Sequence, residues 1–159
     1  MSPTTSSLLL NDYFTEELFI KANAEHEPEK PFSFSLDDIT VSADALASKK
    51  KSDGWQVRLT IFHQTEGKSN SPYSFRISIV GFFNVDSEYP ADKAEWLIRT
   101  NAPSVLYSIA RDIIKRNTAE GPWRSLILPT VSFYTEELKA MIKKKSASAS
   151  TDAKTGKKN

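Results

Sequence analysis

Residues 55–83 read WQVRLTIFHQTEGKSNSPYSFRISIVGFF, and this stretch decides the fold. Trp55, Val57, Leu59, Ile61 and His63 alternate with Gln56, Arg58, Thr60, Phe62 and Gln64. That two-residue period is a strand with one face buried and the other mostly wet. The polar segment 65–72, TEGKSNSP, is a hairpin loop. Tyr73, Phe75, Ile77 and Ile79 then alternate with Ser74, Arg76 and Ser78, and the strand turns apolar on both faces at Val80, Phe82 and Phe83. Two antiparallel strands joined by a short loop are the centre from which the rest is read.

Toward the N-terminus, residues 8–23 predict a long edge-type strand. Phe14, Leu18, Ile20 and Ala22 share one parity, and a bulge is expected near Glu16. His26–Pro31, with two prolines and three charges, is a connection. Phe32–Ala45 predicts a further strand with Phe32, Phe34 and Leu36 on one face and a bend near Asp37–Asp38. Loops too short for crossover helices predict an antiparallel meander of the four strands.

Toward the C-terminus the period changes. Ala94, Leu97, Ile98, Val105, Leu106, Ile109, Ala110, Ile113 and Ile114 recur at helical spacing after Pro90, and Asp92 adds first-turn acid. Asn101 and Pro103 predict two helical pieces or a kink. Gly121–Pro122 ends the helix, and the irregular apolar run Trp123–Phe133 follows. Thr135 caps a short last helix to about Lys145, with Leu138, Met141 and Ile142 on one face. Strands first and helices after give an α+β fold with the helices on one side of the sheet.

The chain has 159 residues, no cysteine and a formal charge of +1. The length predicts one domain, residues 8–145, between a flexible N-terminus, 1–7, and a disordered tail, 146–159. Residues 143–159 hold six lysines and one aspartate, which leaves 15 basic and 19 acidic residues before them. The near-neutral total is therefore a mildly acidic body with a basic tail. A tail of this kind can neutralise phosphates, but the body has no matching basic stripe, which argues against a nucleic-acid role.

Catalysis and metal binding find little support. Absent cysteine removes thiolate zinc sites and thiol nucleophiles, and only His26 and His63 could supply imidazole. The acid pairs Glu16/Glu17 and Asp37/Asp38 are adjacent, so on a strand they point to opposite faces and form no dyad. His63, on the apolar parity, reads as a hydrogen-bonded core or rim residue. No catalytic residue, metal or cofactor is expected. No apolar run approaches the ~20 residues that span a bilayer, and the N-terminus lacks the basic start of a secretory signal. These readings predict a cytoplasmic protein without membrane insertion.

The aromatic surplus is more telling. Phe32, Phe34, Phe62, Phe82, Phe83, Trp123, Phe133 and Tyr134 exceed what one sheet face and one helix layer would cover. Phe19 and Phe62 fall on otherwise polar parities. An exposed ring forgoes about 1.5–3 kcal/mol of burial, so such a surface serves oligomer contacts or an apolar partner.

The succession resembles the SecB family of export chaperones. Glu17-Leu18-Phe19-Ile20-Lys21-Ala22-Asn23 is similar to the end of that family's first strand. Ala102-Pro103 with Ser108-Ile109-Ala110-Arg111-Asp112-Ile113 resembles its Cys-Pro-Asn and Tyr-Ala-Arg helix, and Leu126-Ile127-Leu128-Pro129-Thr130-Val131-Ser132-Phe133 resembles its hinge. The resemblance implies a homotetramer, a dimer of dimers, that holds non-native polypeptides without ATP. It implies a client groove at Phe32, Phe34, Phe82, Phe83, Trp123, Leu126, Leu128, Val131, Phe133, Leu138 and Met141. It also implies a partner-docking face at Glu17, Phe19, Lys21, Phe75 and Arg76. Family members that serve the SecA motor show acid on that face, whereas Lys21 and Arg76 are basic here. This departure favours the SecB-like chaperones of toxin–antitoxin systems, whose client is an antitoxin, over delivery to SecA.

Overall fold

The computed structural model describes residues 6–50, 54–65 and 69–134. The order is β1 (Leu8–Ala22), a 3-10 turn (Leu36–Asp38), β2 (Thr40–Ala47), β3 (Gly54–His63), β4 (Tyr73–Val85) and α1 (Ala91–Ala119). The strands form one antiparallel sheet in the order β1-β4-β3-β2. The α+β reading and its four antiparallel strands hold. The sheet is a meander only from β2 to β4, because β1 pairs with β4 and reaches β2 through a crossover, residues 23–39. Phe32 and Phe34, expected in the second strand, lie in this crossover, and the expected bend at Asp37–Asp38 is the 3-10 turn that ends it.

The inner face follows the strand alternation. Val57, Leu59 and Ile61 of β3 and Tyr73, Phe75, Ile77, Ile79 and Phe83 of β4 are fully buried beneath Ile98, Ala102, Leu106, Ala110 and Ile114 of α1. Gly81 lets the helix approach, since a Cβ there would lie 2.7 Å from Leu106 Cδ2 and 2.8 Å from the Phe83 ring.

β1 is bulged near Glu16, as its sequence suggests, and a second register shift lies between Leu10 and Asp12. The parity read for Phe14 is therefore corrected. Phe14 pairs with Val80 on the outer face, whereas Leu18, Ile20 and Ala22 pair with Ile77, Phe75 and Tyr73 on the inner face.

The helix also departs from expectation, running unbroken from Ala91 to Ala119 with Pro103 inside and buried. Around the proline, the hydroxyls of Thr100, Ser104 and Ser108 each donate to the carbonyl four residues earlier. Back-bonding of this kind relaxes a helix locally, and burial of Ala102, Pro103 and Leu106 outweighs the lost N–H. The short last helix and the tail lie outside the described residues, as do Leu138 and Met141.

Candidate functional site

The crossover is held down at both ends. At its start, Asn23 N–H donates to the Pro72 carbonyl at 2.8 Å and its side-chain amide to Ser71 O at 2.9 Å. Asn70, from the β3–β4 loop, grips the middle. Its amide nitrogen donates to the carbonyls of Glu27 (3.0 Å) and Lys30 (3.3 Å), and its Oδ1 accepts the Glu27 N–H at 2.8 Å. The Asn70 carbonyl also bonds His26 Nδ1 at 2.8 Å. At the far end, Asp38 accepts from Ser35 N–H (2.7 Å) and Ser35 Oγ (2.9 Å). These bonds, the backbone one first, hold the Asp38 carboxyl below the usual carboxylate range. The Asp38 carbonyl accepts from His63 Nδ1, and Nε2 is buried without a hydrogen-bond partner among the described residues. His63 is thus the hydrogen-bonded core residue that its strand parity suggests.

Between these anchors the crossover carries its aromatics. Phe34 stacks edge-on to His63 (centroids 4.8 Å apart) and Phe32 edge-on to Phe34 (5.6 Å). Both rings are half-buried against the core.

Opposite them lies the segment after α1. Tyr73 Oη donates toward the carbonyls of Thr118 (3.1 Å) and Trp123 (3.0 Å) and receives the Trp123 N–H at 3.0 Å. Gly121 makes this junction possible, since a Cβ there would sit 2.5 Å from Tyr73 Oη. Leu126 N–H donates to Thr118 Oγ1 at 2.9 Å. Further on, Arg111 Nε donates to Leu128 O (3.0 Å) and Tyr107 Oη to Pro129 O (2.8 Å). Burial pushes the Tyr107 hydroxyl above the usual phenol range, so it stays a donor. The extended segment alternates, with Leu126 and Leu128 buried and Ile127 exposed between them.

The two walls enclose a cleft of about 650 Å³. Phe32, Phe34 and Pro31 form one side, Leu126, Ile127 and Arg124 the other, and His26 and Pro72 lie toward its base. A trough that combines aromatic and aliphatic side chains with polar and charged ones suits an extended polypeptide.

The groove residues read from the sequence are therefore not all together. Phe32, Phe34 and Leu126 line the cleft, while Trp123 supports it through His26 (5.1 Å between rings) and a bond from Nε1 to Asn23 O (3.0 Å). Phe83 and Leu128 are core residues of the described chain. Val131 and Phe133 continue along α1, where Phe133 meets Tyr107. Phe82 points the other way and packs on Phe14 across the outer face. Sequence reading missed Ile127, Arg124 and Asn70. The odd–even alternation Leu126-Ile127-Leu128 carried the signal for the first of these.

The outer face gathers the docking candidates Glu17, Phe19, Lys21 and Arg76, but Phe75 is excluded because its odd parity in β4 turns it fully into the core. Arg76 bonds Glu17 at 2.8 Å, and its guanidinium lies 5.9 Å from the centre of the Phe62 ring. Arg58 forms a second pair with Glu16. A second cleft, of about 500 Å³, lies beside Phe19, Lys21, Phe62 and Ser74.

The family profile described as "Preprotein translocase subunit SecB" matches residues 12–141. The chain belongs to the SecB family. It is 30% identical over 112 residues to "Protein-export protein SecB" of Rhodopseudomonas palustris (strain BisA53), covering 70% of this chain and 65% of that SecB. It is 22% identical over 121 residues to the SecB of Magnetococcus marinus, covering 74% and 76% of the two chains. Among solved structures, it is similar in fold to the Mycobacterium tuberculosis Rv1957 SecB-like chaperone, solved in complex with a ChAD peptide from the Rv1956 HigA1 antitoxin. That likeness has a TM-score of 0.61 at 12% identity and covers 79% of this chain and 91% of the other. Among the described residues, no helix is long and apolar enough to cross a membrane.

Proposed function

We propose that this SecB-family chain is an ATP-independent holdase that binds extended segments of non-native polypeptides in the cleft between Phe32/Phe34 and Leu126/Ile127. The observation that carries this reading is that cleft: an open trough of mixed aromatic, aliphatic and polar lining built from two irregular segments, each anchored by its own hydrogen bonds. Backbone anchoring keeps the cleft in place when empty, which lowers the ordering cost of taking up a client. Because no bond making is involved, we assign no enzymatic activity, and the chaperone works as a cytoplasmic protein.

A dedicated client, such as an antitoxin, is the narrower form of the proposal. Its support is the antitoxin peptide in the similarly folded mycobacterial chaperone, together with the ion-paired outer face. Pairing of Glu17 with Arg76 neutralises the acid that would otherwise attract a basic docking domain. Export delivery to SecA is the alternative, supported by the names of the matched relatives. Self-assembly as a dimer of dimers is proposed from the apolar residues left exposed along β1, including Leu9, Tyr13, Phe14, Leu18 and Phe19.

Dilution of a denatured client with and without the protein tests the holdase reading by light scattering. Suppression near one client per assembly is expected, and Phe32→Asp should abolish most of it while circular dichroism stays unchanged. Equal scattering with and without excess protein would sink the proposal. Binding of SecA to the immobilised protein separates the two client routes.

A further inference from the structure

The chain has six arginines, at positions 58, 76, 99, 111, 116 and 124. Arg58, Arg76, Arg99 and Arg116 each pair with a carboxylate, and Arg111 donates to the Leu128 carbonyl. Arg124 is the exception. It is exposed, it lines the cleft, and it has no ion pair or hydrogen bond from its side chain among the described residues. Its backbone, in contrast, is fixed. Trp123 receives from and donates to Tyr73 Oη through its carbonyl and its N–H, and Leu126 N–H is held by Thr118 Oγ1. Arg124 and Ser125 are the two residues between these anchors. The fold thus brings a guanidinium to the cleft from a fixed point of the backbone and supplies no anion for it.

The facing wall carries two further charges. Lys30 is matched by Glu27, three residues before it. Glu29 is exposed and, like Arg124, makes no ion pair among the described residues, so the two do not neutralise one another across the cleft. A guanidinium offers two parallel N–H donors that fit a carboxylate, whereas Glu29 repels one. Successive side chains of an extended peptide point to opposite sides. A client acid therefore meets Arg124 in one phase of the bound chain and Glu29 in the other. The place of the acid along the cleft also follows. Arg124 comes directly after Trp123, which packs on His26, whereas Phe34 packs on His63. The cation lies toward the His26 end, and the aromatic contacts lie toward the His63 end.

We infer that Arg124 is a specificity residue of the cleft and takes an Asp or Glu carboxylate of the client. The inference rests on the cleft reading and narrows the client class. The preferred client is an extended segment with an acidic residue at a fixed spacing from an aromatic or aliphatic anchor. Glu29 sets the phase, because an acid displaced by a single residue turns toward it. The apolar contacts hold many sequences, and the Arg124 pair ranks them.

Fluorescence anisotropy with the full-length protein tests it on a labelled Phe-Leu-Phe peptide with serine flanks. Aspartate is moved through the flanks a single position at a time, and lysine likewise. At one spacing aspartate should tighten binding about fivefold over the all-serine peptide, less as salt rises, and the gain should vanish one residue to either side. Arg124→Gln should erase the gain and leave the all-serine affinity unchanged, and Arg124→Glu should transfer the gain to lysine at the same spacing. Glu29→Gln should let the neighbouring aspartate positions bind better. A flat aspartate scan above a binding all-serine peptide overturns the assignment of Arg124 and leaves the cleft reading standing, as does a gain that survives Arg124→Gln. A gain that Arg124→Gln erases, with Phe32→Ser binding every peptide as the wild type does, supports the acid site and removes the aromatic anchor instead. Binding of none of the peptides overturns both.

Discussion

Asn70 has the largest reach of any single side chain around the cleft. It satisfies one N–H and two carbonyls of a loop some forty residues earlier in sequence. Asn70→Ala removes the acceptor of the Glu27 N–H, while the Glu27 carbonyl keeps the Lys30 N–H, and at this exposed site it should cost about 0.5–1.5 kcal/mol. The expected outcome is faster amide exchange at Glu27 and a weaker client affinity, with the exchange of β3 unchanged. Asp38 acts at the other anchor. Because Ser35 holds its folded-state pKa below the unfolded value, its contribution is fully present above about pH 4 and fades as the pH falls through the lower folded value. The stability difference between wild type and Asp38→Asn should be constant from neutral pH down to about 4 and close below it; a gap that widened on acidification would contradict the assigned bonds. Nothing in the sequence spacing revealed Asn70, since the pairing of loop 69–72 with 23–30 is set by topology. His63 was legible, because its parity in a clean strand placed it in the core.

At the scale of elements, the close approach of α1 to β4 depends on Gly81. Gly81→Val should destabilise the fold by about 1–3 kcal/mol through overpacking against Leu106 and Phe83, seen as a lower midpoint in urea with unchanged slope. The strands and the helix were readable because their periods of 2 and 3.6 are local properties. The crossover was not, since Phe32-Ser33-Phe34 alternates like a strand. What overrides that pattern is the 3-10 turn at Leu36–Asp38 and the need to cross from one sheet edge to the other. Pro103 misled in the opposite direction, because a local helix breaker was judged without the packing of Ala102 and Leu106 that holds the helix together.

For the whole molecule, the exposed apolar residues concentrate on β1 and its neighbour Phe82, at the edge remote from β2. Phe19 is 52% exposed and Phe14 48% in the single chain, an arrangement that the proposed assembly would cover. Leu18→Lys should shift the mass measured by light scattering toward smaller species while leaving the circular dichroism of the chain intact. A wild-type protein that is monomeric at micromolar concentration would refute assembly through β1. Charge is also organised at this scale. The outer-face arginines Arg58 and Arg76 are each matched to a β1 glutamate, so that face presents paired charges and aromatic rings instead of a single-sign field.

The two register shifts of β1 act as a phase shift and its reversal. The first changes which parity of residues faces the helix, and the second changes it back, so only Asp12–Thr15 is inverted. Leu8 and Leu10 before this window, and Leu18 and Ile20 after it, keep a common even-numbered rhythm. Deleting the extra residue of a shift, Asn11 or Glu16, would remove that shift and leave the side chains of both flanks on their present faces, whereas deleting a residue between or beyond the shifts would turn one flank over. Single deletions in this strand should therefore be tolerated at the two shifts and not between them, and the Phe14–Phe82 contact would report the facing of the segment that the shifts enclose.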